Sequence, residues 1–230
     1  MFNRKRSITI LKKPISNKIK ICIVGTHQTG STRLFNLVRL IYEKKKKTVY
    51  SGWNIENVNI LHTNADVILC KVHESSYLYL NNFHIKLLPL RNIIDAAISE
   101  NTRFQEISLL DSCLSNIRLF NQFKSKASFI FRYEDYSVYY IKKLSFILGV
   151  QLTYMEIIEI MKELENMIND KNLIEDDDHS DENYQKTLLC KNHNTSGGKN
   201  NKFVGLCKKD LMCLLKNDEI RQFLEEHKYI

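Results

Sequence analysis

The chain contains no run of about 18 apolar residues, so no segment of it reads as a membrane-spanning helix. Its first residues, MFNRKRSITILKKP, are basic but lack the apolar stretch and small-residue cleavage site of a secretory signal. A cytoplasmic protein is expected. The six cysteines (22, 70, 113, 190, 207 and 213) include no C-x-x-C pair, and Cys190 with His193 has no second pair to complete a tetrahedral zinc site. The cysteines read as small core residues of a reducing compartment, Cys22 and Cys70 lying inside apolar runs. Residues 175–182, EDDDHSDE, lack the turn glycine of a calcium loop and read as a solvated linker. No internal repeat is present, and no metal site is expected.

What is there is an ordinary globular composition: 43% hydrophobic and 26% charged over 230 residues, enough chain to bury a core. Charge is uneven. Residues 1–50 hold 13 Lys/Arg against one Glu, a balance of +12, which leaves −4 for the remainder of a chain whose net charge is +8. Such asymmetry fits a nucleic-acid or membrane surface. No aromatic side chains interleave with Lys44–Lys47 as a base-stacking platform would need. The lysines therefore read as a solvated helix end near the negative pole of its dipole, and no nucleic-acid partner is expected. Residues 1–18 read as a basic flexible arm and 19–230 as one domain.

Residues 19–42, IKICIVGTHQTGSTRLFNLVRLIY, carry the strongest local signal. A β-branched apolar run, 19–24, reads as a strand buried on both faces. A loop bracketed by Gly25 and Gly30 follows. Then Leu34, Leu37, Val38 and Ile41 recur at helical spacing, with Ser31 or Thr32 able to cap the first turn. Strand, glycine-bracketed loop and helix make an anion cradle, because N–H groups at a helix start point at bound phosphate. The spacing G-x-x-x-x-G is that of a nucleotide-binding P-loop, yet Ser31 stands where such a loop has its lysine. The alternative is a strand–turn–helix connection that merely contains two glycines.

Further strands are expected at 48–51, 65–72, 83–90 and 127–132. Helices are expected at 92–104, 106–126 and 134–148, from the capping-box pattern at Thr153 and Glu156, and at 209–216 and 218–227. A polar loop is expected around Trp53, and another over 190–203. Alternating strands and helices predict an α/β three-layer sandwich with a central, mostly parallel sheet and P-loop NTPase-like topology. Ligands of such sheets bind beyond the carboxyl ends of the strands. Gly25 to Thr32, Lys71, His73, Arg91 and Tyr133 all fall there.

Two constellations could carry chemistry. Arg91 ends a strand and Ser99 follows eight residues on, two turns along a helix and so on the same side. An arginine fork with a hydroxyl is a good grip for a phosphate separate from the cradle; the alternative is that Arg91 pairs with Asp95. Lys71 and His73 lie two residues apart at another strand end. An imidazole can take a proton from a substrate hydroxyl, and a neighbouring lysine can neutralise charge developing on a leaving group. Alone, a His–Lys pair is equally well surface polarity.

Taken in order, the set resembles the sulfotransferases that use 3′-phosphoadenosine 5′-phosphosulfate (PAPS). Gln28-Thr29-Gly30-Ser31-Thr32 matches their phosphosulfate loop, roughly K/R-S-G-T/S-T. Lys71-Val72-His73 matches K-T-H, and Arg91-Asn92-Ile93-Ile94-Asp95-Ala96-Ala97-Ile98-Ser99 matches the 3′-phosphate motif R-N/D-x-x-D-x-x-x-S. Tyr133-Glu134-Asp135 matches Y-E-D, and residues 144–149, LSFILG, echo the L-x-F-L-G that follows. The resemblance spans about residues 19–205. Near the C-terminus Gly198 and Phe203 fit the family's R-K-G-x-x-G-x-W, while its basic pair and second glycine have no match.

The resemblance implies transfer of the sulfuryl group from PAPS to a hydroxyl or amine by in-line displacement, with His73 as base and Lys71 assisting the leaving phosphate. It implies that Gln28, Thr29, Gly30, Ser31, Thr32 and Arg33 hold the 5′-phosphate. Arg91, Ser99, Gly198 and Lys199 would hold the 3′-phosphate, and Tyr133 would lie near the adenine. PAP would be the product, and no metal would take part. Gln28 stands where the family has a basic residue, leaving Lys71, His27 or Arg33 to supply that charge. Two other readings are a P-loop kinase or NTPase, disfavoured by the missing lysine, and a non-catalytic protein that binds PAPS or PAP. The acceptor, a small molecule or a glycan, would contact loops 52–64, 74–82 and 100–112.

Overall fold

The computed structural model describes residues 18–55, 64–73, 80–104, 107–170, 172–175, 181–191 and 201–230. Five strands form one all-parallel sheet in the order β2-β3-β1-β4-β5: β1 (Ile19–Val24), β2 (Val49–Trp53), β3 (Val67–Val72), β4 (Ile85–Leu90) and β5 (Phe129–Arg132). The helices are α1 (Ser31–Lys44), α2 (Ile93–Phe104), α3 (Leu109–Phe123), α4 (Val138–Ile147), α5 (Tyr154–Ile168), α6 (Glu182–Thr187), α7 (Lys208–Leu215) and α8 (Asp218–Glu226).

The two-residue period of the strands divides the apolar side chains into two cores. Ile21, Ile23, Val67, Leu69, Leu87 and Phe131 point to one face, where α1, α4, α5 and α6 cover them. Cys22, Val24, Ile68, Cys70, Val72, Leu88 and Leu90 point to the other, under α2, α3, α7 and α8. This is the expected three-layer sandwich, with every sheet pair parallel rather than most of them. Burial on both faces explains why β1 and β3 read as continuous apolar runs rather than alternating ones.

Several boundaries differ from the sequence reading, each for a local reason. Trp53 is the last residue of β2, not part of a loop, and pairs in register with Lys71 of β3. The segment after β5 does not enter a helix directly. Residues Tyr133–Asp135 form a 3-10 turn, and Ser137 then caps α4 through the Tyr140 amide. At α1 the cap is Gly30 in the left-handed region, with no side-chain capping bond. Ser31 and Thr32 are already inside the helix, where their hydroxyls no longer reach the amides a cap would serve. The capping box at Thr153 and Glu156 is present. Four cysteines are buried, but Cys207 and Cys213 are exposed.

The lysine run at the end of α1 is neutralised locally. Lys44 pairs with Glu159, Lys45 with Glu156 at 2.5 Å and Lys47 with Asp66 at 3.5 Å. The excess positive charge of the first 50 residues is thus partly spent on packing α1 against α5. The expected arm lies outside the described residues apart from Lys18, as do most of the acidic run and of the polar loop before Asn201.

Candidate active site

The sheet order sets the geography of the site. β1 is central, with β3 on one side and β4 on the other, so whatever follows these three strands meets at one crevice. The residues are the loop 25–30 after β1, Lys71 and His73 at the end of β3, and Arg91 just past β4.

Both bracketing glycines are sterically required. A Cβ on Gly25 would sit 2.7 Å from Pro89 Cγ and from Ser31 Cβ. At Gly30, φ is +87° and a Cβ would lie 2.4 Å from the ring of Tyr133, so both conformation and space demand glycine. Gln28 also takes a positive φ of 59°, and its carbonyl accepts a bond from Arg91 Nη1 at 3.0 Å. Thr29 is buried and donates its hydroxyl to the Thr26 carbonyl at 2.9 Å, closing the loop on itself. The first turn of α1 carries no acid and no side-chain cap, so the positive pole of the dipole faces the crevice unopposed by its own residues.

Three cations surround this cradle and do different things. Lys71, only 3% exposed, extends from the α1 side of β3 and donates to Thr32 Oγ1 at 2.6 Å. Its ammonium also lies 5.4 Å from the Trp53 ring centre. Arg33 turns outward: it pairs with Glu165 of α5, stacks 4.3 Å from the centre of the Tyr136 ring and donates to Tyr133 Oη at 3.3 Å. Arg91 is buried, with its guanidinium 4.7 Å from the centre of the Tyr133 ring. Tyr133 thereby joins the loop glycine, Arg33 and Arg91 in one contact set.

His73 lies just beyond β3, with Nδ1 2.5 Å from the Gly25 carbonyl oxygen. A carbonyl can only accept, so Nδ1 carries the hydrogen, and in the neutral ring Nε2 keeps the lone pair. The ring is flanked by His27, stacked at 4.1 Å between centroids, and by Trp53, edge-on at 4.6 Å. Exposed Phe104 meets His27 edge-on, at 6.0 Å between centroids.

On the far side of Arg91 a second polar cluster is built on α2. Asn92 caps the helix, its Oδ1 accepting from the Ile94 and Asp95 amides at 3.0 and 3.3 Å, while Glu134 accepts from the Asn92 amide at 2.8 Å. That bond gives the glutamate after Tyr133 a structural task. Ser99 lies 3.5 Å from Arg91 Nη1, on the side its spacing predicts. It also accepts from Lys202 Nζ at 2.7 Å and donates to the Asp95 carbonyl at 2.7 Å. Lys202 is held low, at about 8, first by burial and then by Arg91, against the opposing pull of Asp95. The Asp95 carboxylate accepts from the Asn201 amide at 2.6 Å and the Phe203 amide at 3.0 Å.

The chain is similar in structure to mouse sulfotransferase SULT7A1, solved in complex with PAP. The TM-score is 0.63 over 91% of this chain and 88% of that one, at 13% sequence identity. The fold is that of a sulfotransferase. No family model and no curated protein matches the sequence.

Of the residues singled out from the sequence, Gln28 to Thr32, Lys71, His73, Arg91, Ser99 and Tyr133 gather at this one crevice, while the Arg33 side chain is directed to Glu165 and Tyr136. Gly198 and Lys199 lie outside the described residues. Lys202 was not singled out. Three residues past Lys199 in the same polar loop, it had no local pattern to distinguish it. Among the described residues no group of His, Cys, Asp and Glu could hold a metal ion.

Proposed function

We propose that this protein is a PAPS-dependent sulfotransferase. The observation that carries the reading is the pairing of two anion grips about one strand end. One is the start of α1, which has no side-chain cap, with Lys71 at Thr32; the other is Arg91, Ser99 and Lys202 on the opposite side of the loop. A nucleotide with phosphates on both its 5′ and 3′ carbons needs two such grips, whereas ATP needs one. Similarity to a fold solved with PAP supports the same choice.

In this reading the loop amides, Ser31, Thr32 and Lys71 hold the 5′ end, and Arg91, Ser99 and Lys202 hold the 3′-phosphate. Arg33 and Tyr133 shape the cradle wall. When bound, PAPS supplies the sulfuryl group, and PAP is the product. Gly25 fixes the tautomer of His73, so Nε2 takes the proton of the attacking hydroxyl or amine. The new bond joins the acceptor's oxygen or nitrogen to sulfur, and the bond from sulfur to the bridging oxygen breaks. Lys71 offsets negative charge arising on the leaving phosphate side, a duty the family gives to the position of Gln28. Catalysis in this reading comes from positioning and charge stabilisation, with no covalent role for the protein.

The deciding experiment is a melting-temperature comparison. PAP should raise the melting temperature while ATP and AMP at equal concentration do so far less. Transfer of labelled sulfate from PAPS to a panel of alcohols, phenols and amines then separates an enzyme from a nucleotide-binding protein. Equal shifts with magnesium-ATP and PAP would reject the reading.

A further inference from the structure

The loop bearing Lys202 is docked along one face of α2 at two points. Asp95 and Ser99 stand four residues apart on that helix and therefore share a face. At the first point the Asp95 carboxylate, 1% exposed, accepts from the backbone amides of Asn201 and Phe203. At the second, the Lys202 side chain reaches Ser99. The two amides belong to the residues on either side of Lys202. Holding both fixes the direction in which Lys202 leaves the backbone. Phe203 packs against the core beneath α2, and Asn201 takes the left-handed conformation that opens the 3-10 turn Lys202–Gly205. A buried carboxylate that accepts two backbone N–H groups is a strong, directional tie.

We infer that Asp95 is a positioning residue that creates specificity for the 3′-phosphate by holding Lys202 beside Arg91 and Ser99. The inference rests on reading Arg91 and Ser99 as the 3′-phosphate grip. Asp95 itself touches neither the nucleotide nor the reacting atoms. Its carboxylate is the anchor that lets a residue 107 positions along the chain become the third wall of a site on α2. An asparagine of the same shape offers one acceptor oxygen and an amide that would face an N–H donor, so it cannot hold both.

The test is a calorimetric titration of PAP and of AMP, which lacks the 3′-phosphate, against the full chain and three variants. The unmodified protein should prefer PAP. Lys202→Ala should lose about 10- to 100-fold in PAP affinity, as expected for a charge-assisted bond, with AMP affinity unchanged. Asp95→Asn should lose a similar factor toward PAP alone, and the double variant should be little weaker than Lys202→Ala, because both changes remove one interaction. Retention of the PAP preference by Asp95→Asn would overturn the inference, as would equal losses for PAP and AMP, which mark a merely structural residue. If the unmodified protein binds AMP as tightly as PAP, the reading of the grip itself fails and takes this inference with it. Should Asp95→Asn not fold, hydrogen exchange on the unmodified protein decides. The Asn201 and Phe203 amides should be protected in the PAP complex, and exchange at the free-chain rate would overturn the tie.

Discussion

Lys202 Nζ donates to Ser99 Oγ at 2.7 Å, across 103 residues of chain, and Arg91 Nη1 reaches toward the same oxygen at 3.5 Å. One hydroxyl is a poor acceptor for two cations. Burial first, and then the repulsion from Arg91, pulls Lys202 down to about 8. A phosphate between them would supply both acceptor oxygens and opposing charge.

Nucleotide binding should therefore depend on pH. A bound 3′-phosphate favours the protonated lysine, so PAP affinity should fall, by about tenfold, as pH rises from 7.5 to 9.5. Calorimetric titration across that range measures it, with AMP as the control that stays flat. Lys202→Arg, which does not titrate there, should flatten the PAP profile as well. The nucleotide-free protein should respond in the opposite sense. The folded-state value of about 8 lies below the ordinary 10.5, so the unfolded chain binds the extra proton between them. The contribution of Lys202 to stability therefore rises across that window and is lost as pH falls through 8.

The difference between what the sequence revealed and what it concealed follows from contact range. β1, its loop and α1 were legible because apolar run, glycines and helical period lie within 24 residues of each other. Arg91 and Ser99 were legible because a helix turns eight residues into two turns. The Asp95 tie was not, because backbone amides donate to it, and any residue but proline has one. Asp95 therefore read only as an alternative partner for Arg91, and Lys199 rather than Lys202 was singled out. The missing side-chain cap on α1 was hidden for a related reason. Serine and threonine after a glycine fit a cap equally well one residue before the helix or one residue into it.

Gly30 should tolerate no side chain. Gly30→Ala forces a Cβ to 2.4 Å from Tyr133 at a φ of +87°. The conformational strain alone is about 1–3 kcal/mol. A shift of ~4–8 °C in melting temperature is expected for a loss of about 2 kcal/mol in a protein of this size. In a Tyr133→Ala background, where the clashing ring is gone, Gly30→Ala should cost less than in the unmodified protein, because only the backbone part remains. A single variant that melts like the unmodified protein would refute the account of the cradle.

His73→Ala should lower turnover by about 10²–10⁴. PAP affinity should stay within a few-fold, since the contacts of the imidazole are with Gly25, His27 and Trp53. Single-turnover kinetics with saturating PAPS would measure the first and calorimetry the second. An unchanged rate would remove His73 from the base role. An equal loss of PAP affinity would mark it as a structural support of the loop.

Gln28 and Lys71 offer the sharpest test of how this cradle supplies positive charge. Lys71 already directs its ammonium to the first turn of α1, at Thr32, while Arg33 is committed to Glu165 and Tyr136. Lys71→Met keeps most of the length of the side chain and removes its charge. It should lower turnover on the order of 10², the scale of losing one preorganised donor at a developing anion. Gln28→Lys adds no new backbone strain, because position 28 already holds a non-glycine side chain at φ 59°. In the unmodified protein this change should raise turnover less than tenfold, because a second cation adds little where one already acts. In the Lys71→Met background it should restore at least part of the loss, and that rescue is the outcome that distinguishes relocated charge from absent charge. If Lys71→Met leaves turnover unchanged, or if Gln28→Lys raises it equally in both backgrounds, Lys71 is not the replacement.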